Sequence, residues 1–261
     1  MKNYLKAIIK IFLVLLAYFA LQTLVTALFA AIGGAGAEGD IQAAMNDFLA
    51  QKASLISLLN NLLVVAVILA FYFKKQSVRA MMAIAPLPGR EYLWCALCAV
   101  ASSIAVSLLI TLLPIPDDIM ASYSDSITAS SGGTFIEHFI ATAALAPIAE
   151  ELLFRGLIYG TLRRVLKWPA AILVSCAIFG LMHGQLLWVI YAFLMGVALT
   201  LIYDKYRTLL ASMAFHIAFN ITGSFILPAF GDGLPMLPLL LVMCLGLWYS
   251  VRHIKVYNTK A

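Results

Sequence analysis

Glu150 and Glu151 stand side by side in Ala146-Pro147-Ile148-Ala149-Glu150-Glu151-Leu152-Leu153-Phe154-Arg155, inside a run otherwise apolar enough to cross a membrane. One ionised side chain near the bilayer centre costs about 2.5–3.5 kcal/mol on insertion scales, so two adjacent ones call for a function. His183 and His216 lie in two further apolar runs. The chain therefore offers carboxylates and imidazoles of the kind used for proton transfer or metal binding. On that chemistry it reads as an intramembrane enzyme.

Helical spacing divides the labour. Arg155 follows Glu151 by four positions, which brings the two to one face as an ion pair. Glu150 is turned about 100° away from its neighbour by the helical period. It has no partner on its own helix, and a carboxylate left unpaired in a low-dielectric site is suited to act as a general base. Pro147 removes a helical hydrogen bond and predicts a kink beside the pair. On the next run Phe179 precedes His183 by four, so the ring can pack on the imidazole and orient it. His216 and Asn220 repeat that spacing, and an amide there can orient the imidazole or donate to an oxyanion. Counted from the basic helix ends at about 1.5 Å per residue, Glu150 and His183 lie roughly 20 Å deep and His216 roughly 12 Å. Those depths suit one cavity, entered from the cytoplasmic side or laterally. The competing structural readings are a packing ion pair with a spare acid, a hydrogen-bonded packing histidine, and inter-helical polar glue.

The elements that must hold these groups are helices. Of 261 residues, 64% are hydrophobic and 11% charged, with mean hydropathy +1.00; soluble domains run at about 45–50% and 25%. One polytopic, all-α membrane domain over 1–261 is expected. Eight apolar runs cover approximately 7–32, 55–73, 91–113, 135–160, 169–186, 187–203, 208–230 and 235–252. No period-two alternation suggests a barrel. The boundary at Gly184-Gln185 requires a very tight turn. Residues 135–230 hold the catalytic helices.

Charge sets the orientation. Lys2, Lys6 and Lys10, then Lys74, Lys75, Arg79 and Arg90, then Arg163, Arg164 and Lys167, then Lys205 and Arg207, then Arg252, Lys255 and Lys260 mark alternate ends. The other ends carry Glu38, Asp40, Asp47, Asp117, Asp118, Asp125 and Asp232, with Lys52 their single basic residue. The positive-inside rule then predicts an even number of spans and cytoplasmic termini. Ala35-Gly36-Ala37 resembles a cleavage site, but the run before it is too long for a signal h-region, which favours a retained first helix. Segments 33–54 and 114–134 read as outer loops, the first with a short surface helix.

Short basic clusters between apolar runs do not suggest nucleic acid, despite the net charge of +5. Cys95, Cys98, Cys176 and Cys244 fall in apolar runs and read as packing residues; one CxxC pair does not complete a metal site. His138 and His253 read as interfacial, and Trp94, Trp168 and Trp248 as an aromatic belt, with Trp188 opening the sixth run. Asn60 and Asn61 read as inter-helical hydrogen-bonding groups rather than catalytic ones.

Three motifs together resemble the CPBP family, the CAAX-protease and bacteriocin-processing group of intramembrane proteases also known as Abi. EExxxR appears as Glu150-Glu151-x-x-x-Arg155, FxxxH as Phe179-x-x-x-His183 and HxxxN as His216-x-x-x-Asn220. The resemblance covers roughly residues 140–225. It implies a helical bundle around an intramembrane cavity and peptide hydrolysis by activated water. Carried over, Glu150 is the general base and His183 helps to hold the water or a metal. His216 and Asn220 stabilise the oxyanion, and Glu151 and Arg155 are a supporting pair. The resemblance leaves two options, Zn²⁺ at Glu150, His183 and His216, or metal-independent activation. It also implies a bacterial cytoplasmic membrane location and a membrane-associated peptide or protein substrate. HExxH, an intramembrane Gly-x-Ser-Gly and paired intramembrane aspartates are absent from the sequence. Two other functions compete: a non-enzymatic immunity or binding protein, and a proton-coupled transporter, for which no inverted repeat is visible.

Overall fold

In lipid, a single apolar segment satisfies its backbone only by closing its hydrogen bonds within itself, as a helix does. The computed structural model describes residues 2–79 and 81–230 and, beyond them, isolated positions 238, 241, 245, 246 and 248. In chain order its helices are α1 (Lys2–Gly34), α2 (Ile41–Gln51), α3 (Ala53–Lys74), α4 (Gly89–Leu112), α5 (Asp117–Ser130), α6 (135–162), α7 (Trp168–Leu181), α8 (Leu186–Tyr206) and α9 (Leu209–Phe230). A single turn at Gln76–Arg79 follows α3. This is a polytopic, all-helical membrane architecture.

Among the described residues, five helices are long and apolar enough to cross a membrane: α1, α3, α4, α8 and α9. The expected count of eight is thus not reproduced. The fourth expected run, α6, is helical throughout but changes its hydrogen-bond register along its length. The fifth, α7, has 14 residues, short of the roughly 20 that a crossing needs. The eighth, 235–252, lies outside the described residues apart from isolated positions.

Of the two connecting segments, 33–54 holds the expected short helix, α2, and 114–134 differs from expectation. Residues 117–130, read as loop, form α5, with Pro116 before it and Asp117 and Asp118 in its first turn, where acids favour a helix start. It docks on the start of α8: Tyr123 meets Trp188 edge-on at 6.1 Å, and Gln185 donates to the Ile119 carbonyl at 3.4 Å.

The core lies where α4, α6, α7, α8 and α9 pack together, with Leu152, Ile158, Phe179, Leu199 and Phe215 buried in it. Cys95, Cys98 and Cys176 are buried there as packing residues. Many large apolar side chains of α1, such as Phe12 and Leu16, face outward. Apolar outside with ions inside is the arrangement a lipid solvent selects. The tight α7–α8 turn is made by Gly184 at φ +72°, followed by Gln185, whose side chain accepts from the Trp188 N–H to cap α8. At Gly180 a Cβ would stand 2.8 Å from the Val189 carbonyl oxygen, so glycine allows α7 and α8 to close on each other.

Candidate active site

The backbone of α6 sets the site. A reciprocal capping box between Thr134 and Glu137 starts the helix. Residues Ile140–Leu145 then widen into a π-turn, in which the Ala146 N–H reaches back five residues to the Ala141 carbonyl. Pro147 explains the widening, because its ring crowds the preceding turn and it has no N–H. The disturbance expected at Pro147 is visible in the backbone as this change of register. In that register the Thr142 carbonyl would pair with the N–H of residue 147, which proline lacks. Asn220 Nδ2 donates to it instead, at 2.9 Å, and ties α9 to α6.

A second π stretch, Glu151–Tyr159, carries Glu151 and Arg155. A π-helix turns more slowly than an α-helix, so the fourth residue on still shares the face. Arg155 Nη1 donates to Glu151 Oε1 at 2.7 Å, with both side chains almost fully buried. The guanidinium also donates from Nη2 to the Gly196 carbonyl at 3.0 Å and lies 4.5 Å over the Phe179 ring. Gly196 permits that approach: a Cβ there would sit 3.1 Å from Phe179 Cδ1 and 3.4 Å from Arg155 Nη2.

His216 on α9 joins the two glutamates. Its Nδ1 lies 3.1 Å from Glu151 Oε1 and its Nε2 3.6 Å from Glu150 Oε2. An ionised carboxylate only accepts, so Glu151 holds a proton on Nδ1 and turns Nε2 towards Glu150. Glu151 is thus more than a counter-ion to Arg155, because it also orients the imidazole. The two acids differ sharply in access. The Glu151 side chain is 0% exposed and that of Glu150 23%. Glu150 opens into a cavity of about 400 Å³ between α1, α3 and α6.

His183 and Asn220 stand differently from His216. His183 Nδ1 is 2.9 Å from the Phe179 carbonyl, so it carries the proton and leaves Nε2 as the lone-pair nitrogen. Its link to the acids runs through Phe179, whose ring meets His183 at 5.0 Å and His216 at 6.1 Å, both edge-on. Asn220 spends one amide N–H on Thr142 and keeps its second N–H and its oxygen. Among the described residues, no three His, Cys, Asp or Glu side chains stand in metal-ligand geometry. Glu150 and His216 fit a shared ion by separation.

Of the opposite wall of the cavity, sequence reasoning read Asn60 and Asn61 only as inter-helical hydrogen-bonding groups and passed over the rest. Tyr18, Gln22, Ser57, Asn60 and Asn61 line it together with Glu150. A signal was present: Tyr18, Gln22 and Thr26 recur every fourth residue in an apolar helix, and Ser57 and Asn61 have the same spacing in α3.

With this geometry in place, similarity to known proteins is informative. Residues 132–222, which span Glu150 to Asn220, match the family described as Type II CAAX prenyl endopeptidase Rce1-like. Over those residues the chain is similar to CAAX-type proteases. The chain is also 33% identical over 87 residues to UPF0177 protein YaiF of Lactococcus lactis subsp. lactis (strain IL1403). That alignment covers 33% of this chain and 38% of the relative, so the chain spans well under half the length of the protein it matches. No solved structure matches.

Proposed function

We propose that the chain is an intramembrane endopeptidase of the CPBP type, hydrolysing a peptide bond of a membrane-associated peptide or protein. One observation carries the reading. Of two adjacent carboxylates, Glu150 opens to a cavity, while Glu151 is fully buried and pins the histidine that faces Glu150.

In the proposed reaction, water enters beside Glu150 and gives it a proton while the oxygen attacks the scissile carbonyl carbon. The tetrahedral oxyanion accepts hydrogen bonds from protonated His216 Nε2 and from the second N–H of Asn220. The C–N bond then breaks, and the proton held by Glu150 passes to the leaving amine, giving a carboxylic acid and an amine, which settle as carboxylate and ammonium. His183, with its lone pair on Nε2, assists in holding the water. Arg155 stands as the cation beside Glu151, and Glu151 accepts from Nδ1–H of His216 and so keeps Nε2 turned to the reacting group. Zn²⁺ at Glu150, His183 and His216 is the second option for activating the water. Glu150 Oε2 and His216 Nε2, 3.6 Å apart, are about as far apart as two ligands on one tetrahedral zinc.

Substrate trapping with full-length Glu150→Gln protein tests the reading, alongside cleavage assays and metal analysis of the wild type. Recovery of a membrane peptide that the wild type cuts and the variant only holds is the expected result. A wild type that cuts nothing, with its cellular phenotype retained in Glu150→Ala, refutes hydrolysis and favours a binding or immunity role. Charge movement in proteoliposomes that depends on Glu150 would instead favour transport.

A further inference from the structure

Two asparagines sit side by side in α3, and the structure gives them different tasks. Asn61 Nδ2 donates to the Ser57 carbonyl at 2.9 Å and to the Ser57 hydroxyl at 3.3 Å, so this amide is satisfied within its own helix. Asn60 is 7% exposed, and its Oδ1 is buried without a hydrogen-bond partner. Asn60 lines the same cavity as Glu150. A buried carbonyl oxygen with no donor is a standing cost to the fold. It becomes an asset when a ligand brings the donor.

The cavity suggests which ligand. A peptide must be extended at the bond to be cut, which strips its N–H and C=O groups of helical partners where no lipid can replace them. A wall bearing Tyr18, Gln22 and Ser57 hydroxyl and amide groups answers that need, and Asn60 Oδ1 accepts and cannot donate. We infer that Asn60 is a binding residue for the backbone of an extended peptide, its amide turning so that the orphaned Oδ1 enters the cavity and accepts a substrate N–H opposite Glu150. The inference rests on the endopeptidase reading of Glu150 and adds the half of the site contributed by α1 and α3.

The test uses the full chain in liposomes with an internally quenched library of degenerate apolar peptides. Asn60→Val and Asn60→Thr are compared, being close in shape and differing in one hydroxyl acceptor. Asn60→Val should raise KM about tenfold, the equivalent of one lost hydrogen bond, with kcat largely kept. Asn60→Thr should remain within about threefold of wild type on the same scale. Removing an orphaned polar group should leave the melting temperature of Asn60→Val equal or higher. If Asn60→Val melts lower or fails to accumulate, the amide holds the bundle together and the assignment is overturned. An unchanged KM also overturns it and leaves the Glu150 reading intact. A library that Glu150→Gln protein binds in an Asn60-dependent way, yet wild type never cuts, keeps the subsite and refutes hydrolysis. A library neither bound nor cut overturns both.

Discussion

Arg155→Met isolates the interaction on which the buried site depends. The guanidinium makes two hydrogen bonds, to Glu151 Oε1 and to the Gly196 carbonyl, and covers the Phe179 ring. Methionine refills much of the volume and leaves Glu151 as a buried carboxylate without its cation. Breaking one side of a buried pair costs about 3–5 kcal/mol, mostly from the stranded charge. His216 Nδ1, 3.1 Å from the same oxygen, remains as a donor and places the loss near the lower end. At about 2–4 °C per kcal/mol for a chain of this size, the melting temperature in detergent should fall by roughly 6–12 °C. Adding Glu151→Gln removes the stranded charge, so the double variant should recover more than half of that fall. Activity should stay lost in the double variant, because there the imidazole no longer has its carboxylate. If Arg155→Met melts within about 2 °C of wild type, a shift under about 1 kcal/mol, the pair is not the electrostatic anchor described. A second substitution that deepens the loss would refute the charge argument equally well.

Four further outcomes follow from the same geometry. Asn220→Ala should cost about 1–3 kcal/mol by orphaning the Thr142 carbonyl; adding Pro147→Ala supplies an N–H and should restore the melting temperature but not cleavage. Gly196→Ala presses a methyl to 3.1 Å from Phe179 and 3.4 Å from Arg155, and should lower stability by about 1–3 kcal/mol. Gly180→Ala, which meets the Val189 carbonyl oxygen at 2.8 Å, should cost more than Gly196→Ala in the same melting assay, since backbone yields less than a side chain. His216→Ala should reduce kcat by about 10²–10⁴-fold with KM little changed, as expected for a group acting on the transition state.

Several features are legible from the residues alone. A chain this apolar has to be helical in lipid, and a carboxylate pair inside it is too costly to be incidental. The i,i+4 spacings fix which side chains share a face on one helix, so the Glu151–Arg155 pair and the Phe179–His183 contact follow from local geometry. What one helix does to another does not follow. Only the tertiary structure brings His216 between both glutamates, gives Asn220 to Thr142 and turns Glu150 towards α1 and α3. The reason is physical. Helical period constrains neighbours within a few residues, whereas contacts between helices depend on rotation and approach. Here those are set by glycines at 180 and 196 and by a proline that shifts the backbone register, features whose effect exists only once the partner helix is in place.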